Sequence, residues 1–189
     1  MEIEAPPLTH GDDQVRVARR GLLMINTGDG KGKSTAAIGL ALRALGRGKQ
    51  VRFFQFMKVA PAQFGEHRSF EKLGFKIEGL GDGFSWKSKD LERSAQLARE
   101  GWERAEVAIR SGEYFLVVLD EVTYPLLYGW IPLEPVLQCL RERPQRTTVM
   151  LTGRRAPPEL IAIADTVTEM TKVKHHYDAG IPAQRGIED

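Results

Sequence analysis

The sequence has little cysteine and no long apolar run, and each shortage excludes a class of protein. The one cysteine, Cys139, cannot form a disulfide within the chain, and it lies among apolar residues of a helical pattern. We expect a small buried side chain there rather than a reactive thiol. No segment approaches the roughly 18 apolar residues of a membrane span, and the N-terminus lacks an apolar stretch of signal length. These absences predict a soluble, cytoplasmic protein that does not bind membranes.

An excess of charge is also lacking. The 27 Lys and Arg residues nearly cancel the 25 Asp and Glu residues, which leaves a net charge of +2. A field this weak gives no reason to expect nucleic acid as a partner. Histidine is scarce as well, and the adjacent pair His175 and His176 has no third ligand at metal-binding spacing. We do not expect a histidine metal site.

The chain length of 189 residues suits one domain with a full sheet. Residues 1–20 are mostly polar and contain two prolines, so they cannot bury much surface, and we predict a flexible N-terminal arm. Residues 21–189 are predicted to form a single domain. The arm could also order over a bound ligand or a neighbouring subunit.

The most informative stretch is a glycine-rich loop between an apolar run and an alanine-rich helical pattern. It reads Thr27, Gly28, Asp29, Gly30, Lys31, Gly32, Lys33, Ser34 and Thr35. A strand, a glycine turn and a helix N-terminus bind phosphate, because free backbone N–H groups point at the anion. Lys33 can follow the outer phosphates, and Ser34 can supply a hydroxyl to a phosphate-bound Mg²⁺. Thr27 stands where the common motif has its first glycine, so the loop is a variant.

Polar side chains follow several of the other apolar runs. The apolar residues 114–119 are followed directly by Asp120 and Glu121. A buried parallel strand that delivers acids beside a phosphate loop can hold Mg²⁺ or orient a nucleophile. Carboxylates also end strands without any chemical role. Arg154, just past a strand at 147–152, could make a forked contact with phosphate, or it could simply be solvated. Lys58 follows a strand at 51–56; it could be a site residue, but we expect it to be solvated.

The alternation of apolar runs and helical patterns predicts an α/β fold. We expect a three-layer P-loop fold with a mostly parallel central sheet of about six strands and helices on both faces. A long amphipathic helix should begin at Ser88 or Asp90 and end at Gly112, with Trp102 in the core. Before it, Phe84 and Trp86 follow three glycines. These aromatic side chains either anchor the loop to the core or contact a flat apolar ligand.

Six blocks of the sequence, taken in order, resemble the P-loop type of cob(I)alamin (corrinoid) adenosyltransferase. They are residues 27–35, 55–58, 83–86, 119–124, 151–154 and 173–180. The resemblance runs from about Gly21 to the C-terminus. Asp29 departs from it where such proteins commonly carry Asn, Val59 departs where Gly is usual, and the N-terminal arm is short.

The resemblance implies that Co(I) of a reduced corrinoid attacks the ribose 5′ carbon of ATP and that the whole triphosphate leaves. Lys33 and Glu121 would then be catalytic, and the loop with Arg154 would bind ATP. Ser34 and Glu121 would bind Mg²⁺, with Mn²⁺ as a possible alternative ion and Asp120 as an alternate or supporting ligand. Phe84 and Trp86 would fill the space below the corrin. A homodimer, and a reductase or flavodoxin that supplies electrons, are the implied partners.

Two other functions remain open. A small-molecule kinase or NTPase could use the same loop and the same acidic strand end. A binding module that is only switched by ATP would bind nucleotide without turnover. The products separate these alternatives, because an adenosyltransferase releases intact triphosphate, a kinase leaves ADP and a hydrolase gives free phosphate.

Overall fold

The computed structural model describes residues 20–59, 64–81 and 91–188, with only the backbone of Val59 described. The N-terminal arm up to residue 19 lies outside these ranges. So do Phe84, Trp86 and the two candidate helix caps, Ser88 and Asp90. The predictions made for those residues therefore stay predictions.

The described residues form a six-stranded sheet in the order β3-β2-β4-β5-β1-β6. Every pairing in it is parallel. The strands are β1 (Leu23–Thr27), β2 (Val51–Val59), β3 (Glu78–Gly81), β4 (Leu116–Asp120), β5 (Thr148–Thr152) and β6 (Thr166–Glu169). The predicted α/β class and the number of strands are confirmed. The sheet is wholly parallel rather than mostly so.

Helices connect the strands. They are α1 (Lys33–Leu45), α2 (Gly65–Lys72), α3 (Leu91–Ser111), α4 (Thr123–Leu127), α5 (Leu133–Arg141) and α6 (Pro158–Ile163). A short 3-10 helix, His176–Ala179, follows the last strand. The sequence did not predict α4, because Pro125 and its short apolar run carry no helical period. Strand β2 is longer than predicted, since Val59 still pairs with Gly81 of β3.

Two apolar clusters cover the two faces of the sheet, and neighbouring residues of one strand serve different clusters. Phe53 packs with α1 on one face, while Phe54 packs with α3 and α5 on the other. This alternation is the period of two that a strand covered on both sides requires. The three-layer prediction is thereby confirmed.

Two predicted core residues are buried as expected. Trp102 of α3 is 6% exposed and Cys139 of α5 is fully buried. Burial raises the pKa of the Cys139 thiol to about 11, which disfavours the reactive thiolate. No helix in the described ranges is long and apolar enough to cross a membrane.

Candidate functional site

Parallel pairing brings the carboxyl ends of the central strands to one edge of the sheet. The glycine loop follows β1, the two acids lie at the end of β4, and Arg154 follows β5. Since β4 and β5 are neighbours and β5 lies next to β1, these groups share one region. The predicted loop, acids and arginine are thus brought together.

The glycine loop has a backbone that only glycine accommodates easily. Gly28 has φ 92° and Gly32 has φ 112°, both left-handed. Gly30 donates its N–H to the carbonyl of Met170 at 2.5 Å, and a Cβ on Gly30 would lie 2.5 Å from that oxygen. The segment after β6 therefore packs directly against the loop, and glycines are required there for close approach.

Helix α1 begins directly after this loop without a side-chain cap. Gly32 is its N-cap, no side chain among the described residues caps its first N–H groups, and its first turn contains no acidic residue. Uncapped N–H groups at the positive end of a helix dipole are the donors that a phosphate needs. Ser34 is half-buried and Thr35 is exposed in this first turn.

Lys33 lies across the loop that precedes it. Its ammonium donates to the carbonyl of Gly28 at 2.8 Å and to the carbonyl of Gly30. Burial lowers the pKa of Lys33, and the positive charge of Arg154 lowers it further, whereas nearby carboxylates raise it. The cation is thus placed over the loop, among the charged groups of the site.

Asp120 is fully buried, and both of its carboxylate oxygens accept hydrogen bonds. Thr152 donates its hydroxyl to Oδ1 at 2.6 Å, and the Gln55 side-chain amide donates to Oδ2 at 3.1 Å. All three side chains have no exposed surface. A buried carboxylate with both oxygens bonded satisfies the requirement that buried charge be compensated.

Glu121, in contrast, is half-buried and has an unusual backbone. Its φ is 61°, in the left-handed region that glycine prefers, and its N–H donates to Thr152 Oγ1 at 2.9 Å. Burial raises the pKa of Glu121 to about 7, and the adjacent charge of Asp120 raises it too, while Lys58 and Lys33 oppose the shift. A bound cation would stabilise the charged form of this carboxylate against its burial and the neighbouring Asp120.

The turn that carries Arg154 is tied to its surroundings. Thr123 donates its hydroxyl to the Arg154 carbonyl at 2.8 Å, and the Ala156 N–H donates to Thr27 Oγ1 at 3.1 Å. The Arg154 side chain is 52% exposed and lies 3.9 Å from Asp29 Oδ1. The backbone of this turn is fixed, while the guanidinium extends into solvent beside the glycine loop.

The prediction that Lys58 is solvated was wrong. Its side chain is only 17% exposed, its ammonium lies 2.7 Å from Glu66 Oε1, and it lies 4.5 Å from the centre of the Phe64 ring. Helix α2 supplies Glu66, so the pairing could not be seen before the fold placed that helix at the end of β2. Lys58 also lies close enough to Glu121 to lower its pKa.

Four other residues near this edge were not predicted as site residues. Tyr124 lies within electrostatic range of Glu121, Arg154 and Asp29. Thr152 and Gln55 donate hydrogen bonds to Asp120, and Thr123 donates one to the Arg154 carbonyl. Neutral polar residues have no motif of their own, and only their positions at the ends of buried strands could have drawn attention to them.

The C-terminal segment also lies beside the loop. The Lys31 ammonium lies 2.7 Å from Glu188 Oε2, and His176 Nε2 lies 3.4 Å from Glu188 Oε1.

In the described part of the chain, no group of three or more His, Cys, Asp or Glu side chains could hold a metal. An ion here would need ligands from phosphate and water as well, which is the usual situation for Mg²⁺.

Comparison with known proteins shows the family of this chain. Residues 19–188 match the family model described as ATP:corrinoid adenosyltransferase BtuR/CobO/CobP. The corrinoid adenosyltransferase of Escherichia coli (strain K12) is 41% identical over 169 residues, covering 89% of this chain and 86% of that protein. The corrinoid adenosyltransferase of Pseudomonas aeruginosa is 41% identical over 181 residues, with 94% and 89% covered. The protein CobA of Salmonella typhimurium, also a corrinoid adenosyltransferase, is 39% identical over 169 residues, with 89% and 86% covered. With such a match along nearly its whole length, the chain belongs to the ATP:corrinoid adenosyltransferase family.

Proposed function

We propose that this protein transfers the 5′-deoxyadenosyl group of ATP to Co(I) of a reduced corrinoid and releases triphosphate. The observation that carries the proposal is the family match over residues 19–188, which includes every group described at the site edge. In the reaction, the cobalt electron pair forms a bond to C5′ and the C5′–O bond breaks. Cobalt is oxidised from Co(I) to Co(III), and the leaving electron pair stays on the triphosphate.

The residues at the glycine loop are suited to holding that leaving group. Negative charge grows on the triphosphate as the C–O bond breaks, and preorganised N–H groups and cations stabilise such charge. The start of α1 supplies uncapped N–H groups, and Lys33 supplies a positive charge held over the loop. The exposed Arg154 guanidinium lies 3.9 Å from Asp29 Oδ1 of the loop, and we expect it to contact a phosphate from that side. No side chain has to act as a nucleophile, because the substrate cobalt is the nucleophile.

The donor set fits a Mg²⁺ ion bound to the triphosphate. Ser34 offers a hydroxyl, and Glu121 offers a carboxylate whose pKa is raised by burial first and by the neighbouring Asp120 second. Mg²⁺ would supply further positive charge against the leaving group, and Mn²⁺ prefers similar oxygen ligands. Asp120, with both oxygens already bonded, suits support of Glu121 better than direct ligation.

The proposal for corrinoid binding rests on the sequence alone. Phe84 and Trp86 would fill the space below the corrin and keep water from the cobalt, so that the Co(II) to Co(I) reduction becomes accessible. A reductase or flavodoxin would supply the electron, and a homodimer would be the working unit. We expect this activity in the cytoplasm, where ATP and cellular reductants are available.

The proposal is tested by an anaerobic assay with ATP, Mg²⁺ and chemically reduced corrinoid. Ultraviolet-visible spectra follow the formation of the cobalt–carbon bond. Lys33→Ala should lose about 100-fold or more in rate, starting from either Co(I) or Co(II), because the leaving triphosphate loses a preorganised cation. Lys49→Ala is the matched control. Lys49 precedes β2, so it lies at the amino-terminal ends of the strands, away from the loop, and its ammonium lies over the Phe115 ring. Unchanged turnover in Lys33→Ala would contradict the role given to the loop.

The corrinoid contact is tested in the same assay. The double variant Phe84→Ala with Trp86→Ala should be impaired most when the starting corrinoid is Co(II), because only that reaction needs the lower axial ligand excluded. With chemically supplied Co(I), the loss should be much smaller. An equal loss from both starting states would contradict the role given to the two aromatic residues.

A further inference from the structure

A chain of buried hydrogen bonds crosses three neighbouring strands at the site edge. Gln55 at the carboxyl half of β2 donates to Asp120 at the end of β4, and Thr152 at the end of β5 donates to the same carboxylate. The strands are adjacent in the order β2-β4-β5, so each donor reaches Asp120 from one side. The three side chains have no exposed surface, and bonds in such a setting are well protected from water.

Thr152 makes two bonds with one hydroxyl. Its hydrogen goes to Asp120 Oδ1 at 2.6 Å, and its oxygen accepts the Glu121 N–H at 2.9 Å. Because the carboxylate fixes the direction of the hydroxyl hydrogen, the oxygen lone pairs are directed at the Glu121 backbone. The conformation of Glu121 is thus linked to the charge and position of Asp120.

Glu121 needs such a restraint. A non-glycine residue at φ 61° is in a backbone conformation that persists only when the surroundings enforce it. The carboxylate of this residue lies among Lys33, Lys58 and Arg154, all of which act to lower its pKa. If the backbone relaxed to a right-handed conformation, the side chain would leave this arrangement.

We propose that Thr152 and Gln55 are positioning residues that hold Glu121, through Asp120 and the Glu121 N–H, where its carboxylate can bind the metal of a metal–ATP complex. This inference rests on the proposed function, since it takes Glu121 to be a metal ligand. Thr152 makes the larger contribution because it bonds to both Asp120 and Glu121, whereas Gln55 bonds to Asp120 and not to Glu121. Neither residue needs to touch ATP or the corrinoid.

The test compares two threonines of the same strand region. Thr152→Val removes the hydroxyl at nearly constant volume, and Thr152→Ser keeps it. Thr147→Val is the matched control, because Thr147 is also fully buried at the other end of β5 and its hydroxyl has no hydrogen-bond partner among the described residues. Gln55→Met removes the bond to Asp120 Oδ2, together with a longer contact of 3.5 Å to Glu66 Oε1, and leaves the Thr152 bonds in place.

Two binding measurements separate positioning from general stability. The affinity for ATP in EDTA reports the loop alone, and we expect all four variants to lie within about twofold of wild type. Binding of Mn²⁺ to the enzyme–ATP complex, followed by electron paramagnetic resonance, reports the carboxylate. We expect the Mn²⁺ affinity of the enzyme–ATP complex to fall about tenfold in Thr152→Val and about threefold in Gln55→Met. In Thr152→Ser and Thr147→Val it should stay close to that of wild type.

The outcomes separate this inference from the function on which it rests. If wild-type protein binds Mn²⁺ with ATP and Thr152→Val binds it equally well, the inference is wrong and the proposed function stands. The inference is also wrong if Thr147→Val loses as much Mn²⁺ affinity as Thr152→Val. If wild-type protein and ATP bind no Mn²⁺ together, the metal site itself is wrong. Should Thr152→Val not fold, the comparison of Gln55→Met with wild type decides the matter.

Discussion

Glu121 combines three properties that a residue with a purely structural role would not need. It is half-buried, it follows another carboxylate directly, and its backbone is left-handed. Each of these costs stability in the protein without ligands, and the first two, burial and the adjacent carboxylate, raise the pKa of Glu121. Conflicts of this kind concentrate at functional sites, where a ligand offsets the cost.

The raised pKa gives a pH dependence of stability with a definite sign. Between about pH 4.5 and pH 7 the folded protein keeps a proton on Glu121 that the unfolded chain has lost, so the free energy of unfolding falls as pH rises through this window. Glu121→Gln removes this effect. In EDTA and without nucleotide, its Tm should exceed that of wild type by about 3 °C at pH 8. Near pH 4.5 the difference should largely disappear.

Thermal unfolding of both proteins at the two pH values measures this. The same variant should lose nearly all adenosyl transfer, because the amide carries no charge for a metal ion. A Tm difference of equal size at pH 4.5 and pH 8 would show that the Glu121 carboxyl is not destabilising in its charged form.

The turn after β5 connects three elements of the site. Gly153 has φ 140°, and a Cβ at this position would lie 2.0 Å from the hydroxyl oxygen of Thr123 in α4. That hydroxyl in turn bonds to the Arg154 carbonyl, while Thr27 of β1 bonds to the Ala156 N–H. Close packing of α4 on this turn thus sets where Arg154 leaves the sheet.

Gly153→Ala should displace the turn. We expect a loss of about 2 kcal/mol in the free energy of unfolding, from the strained φ and the contact with Thr123. Adenosyl transfer should fall by about tenfold or more, since a small misplacement of a phosphate-binding arginine is costly. Urea unfolding and the spectroscopic assay measure the two effects.

A double-mutant cycle identifies the cause. In a Thr123→Ala background, Gly153→Ala should cost less stability, because the hydroxyl oxygen at 2.0 Å is gone and only the backbone strain and the Thr123 Cβ at 3.0 Å remain. If the two changes were simply additive, the contact between Gly153 and Thr123 would not be the source of the loss.

Much of the molecule follows from local patterns in the sequence. Apolar runs and helical periods predicted the α/β class and the order of most elements. The glycine loop and the acids after β4 could be expected to meet, because parallel strands share one carboxyl edge. The Lys58–Glu66 pair and the contacts of Thr152 could not be predicted, because they join residues whose distances depend on strand order and helix placement. The short helix α4 was missed for lack of periodicity.

The proposed reaction of the whole protein is tested most directly by analysis of its products. Wild-type enzyme is incubated anaerobically with ATP, Mg²⁺ and chemically generated Co(I) corrinoid, and phosphorus magnetic resonance is recorded together with visible spectra. The account predicts one intact triphosphate for each cobalt–carbon bond formed. ADP or free phosphate as the primary product, or triphosphate released without a cobalt–carbon bond, would contradict it.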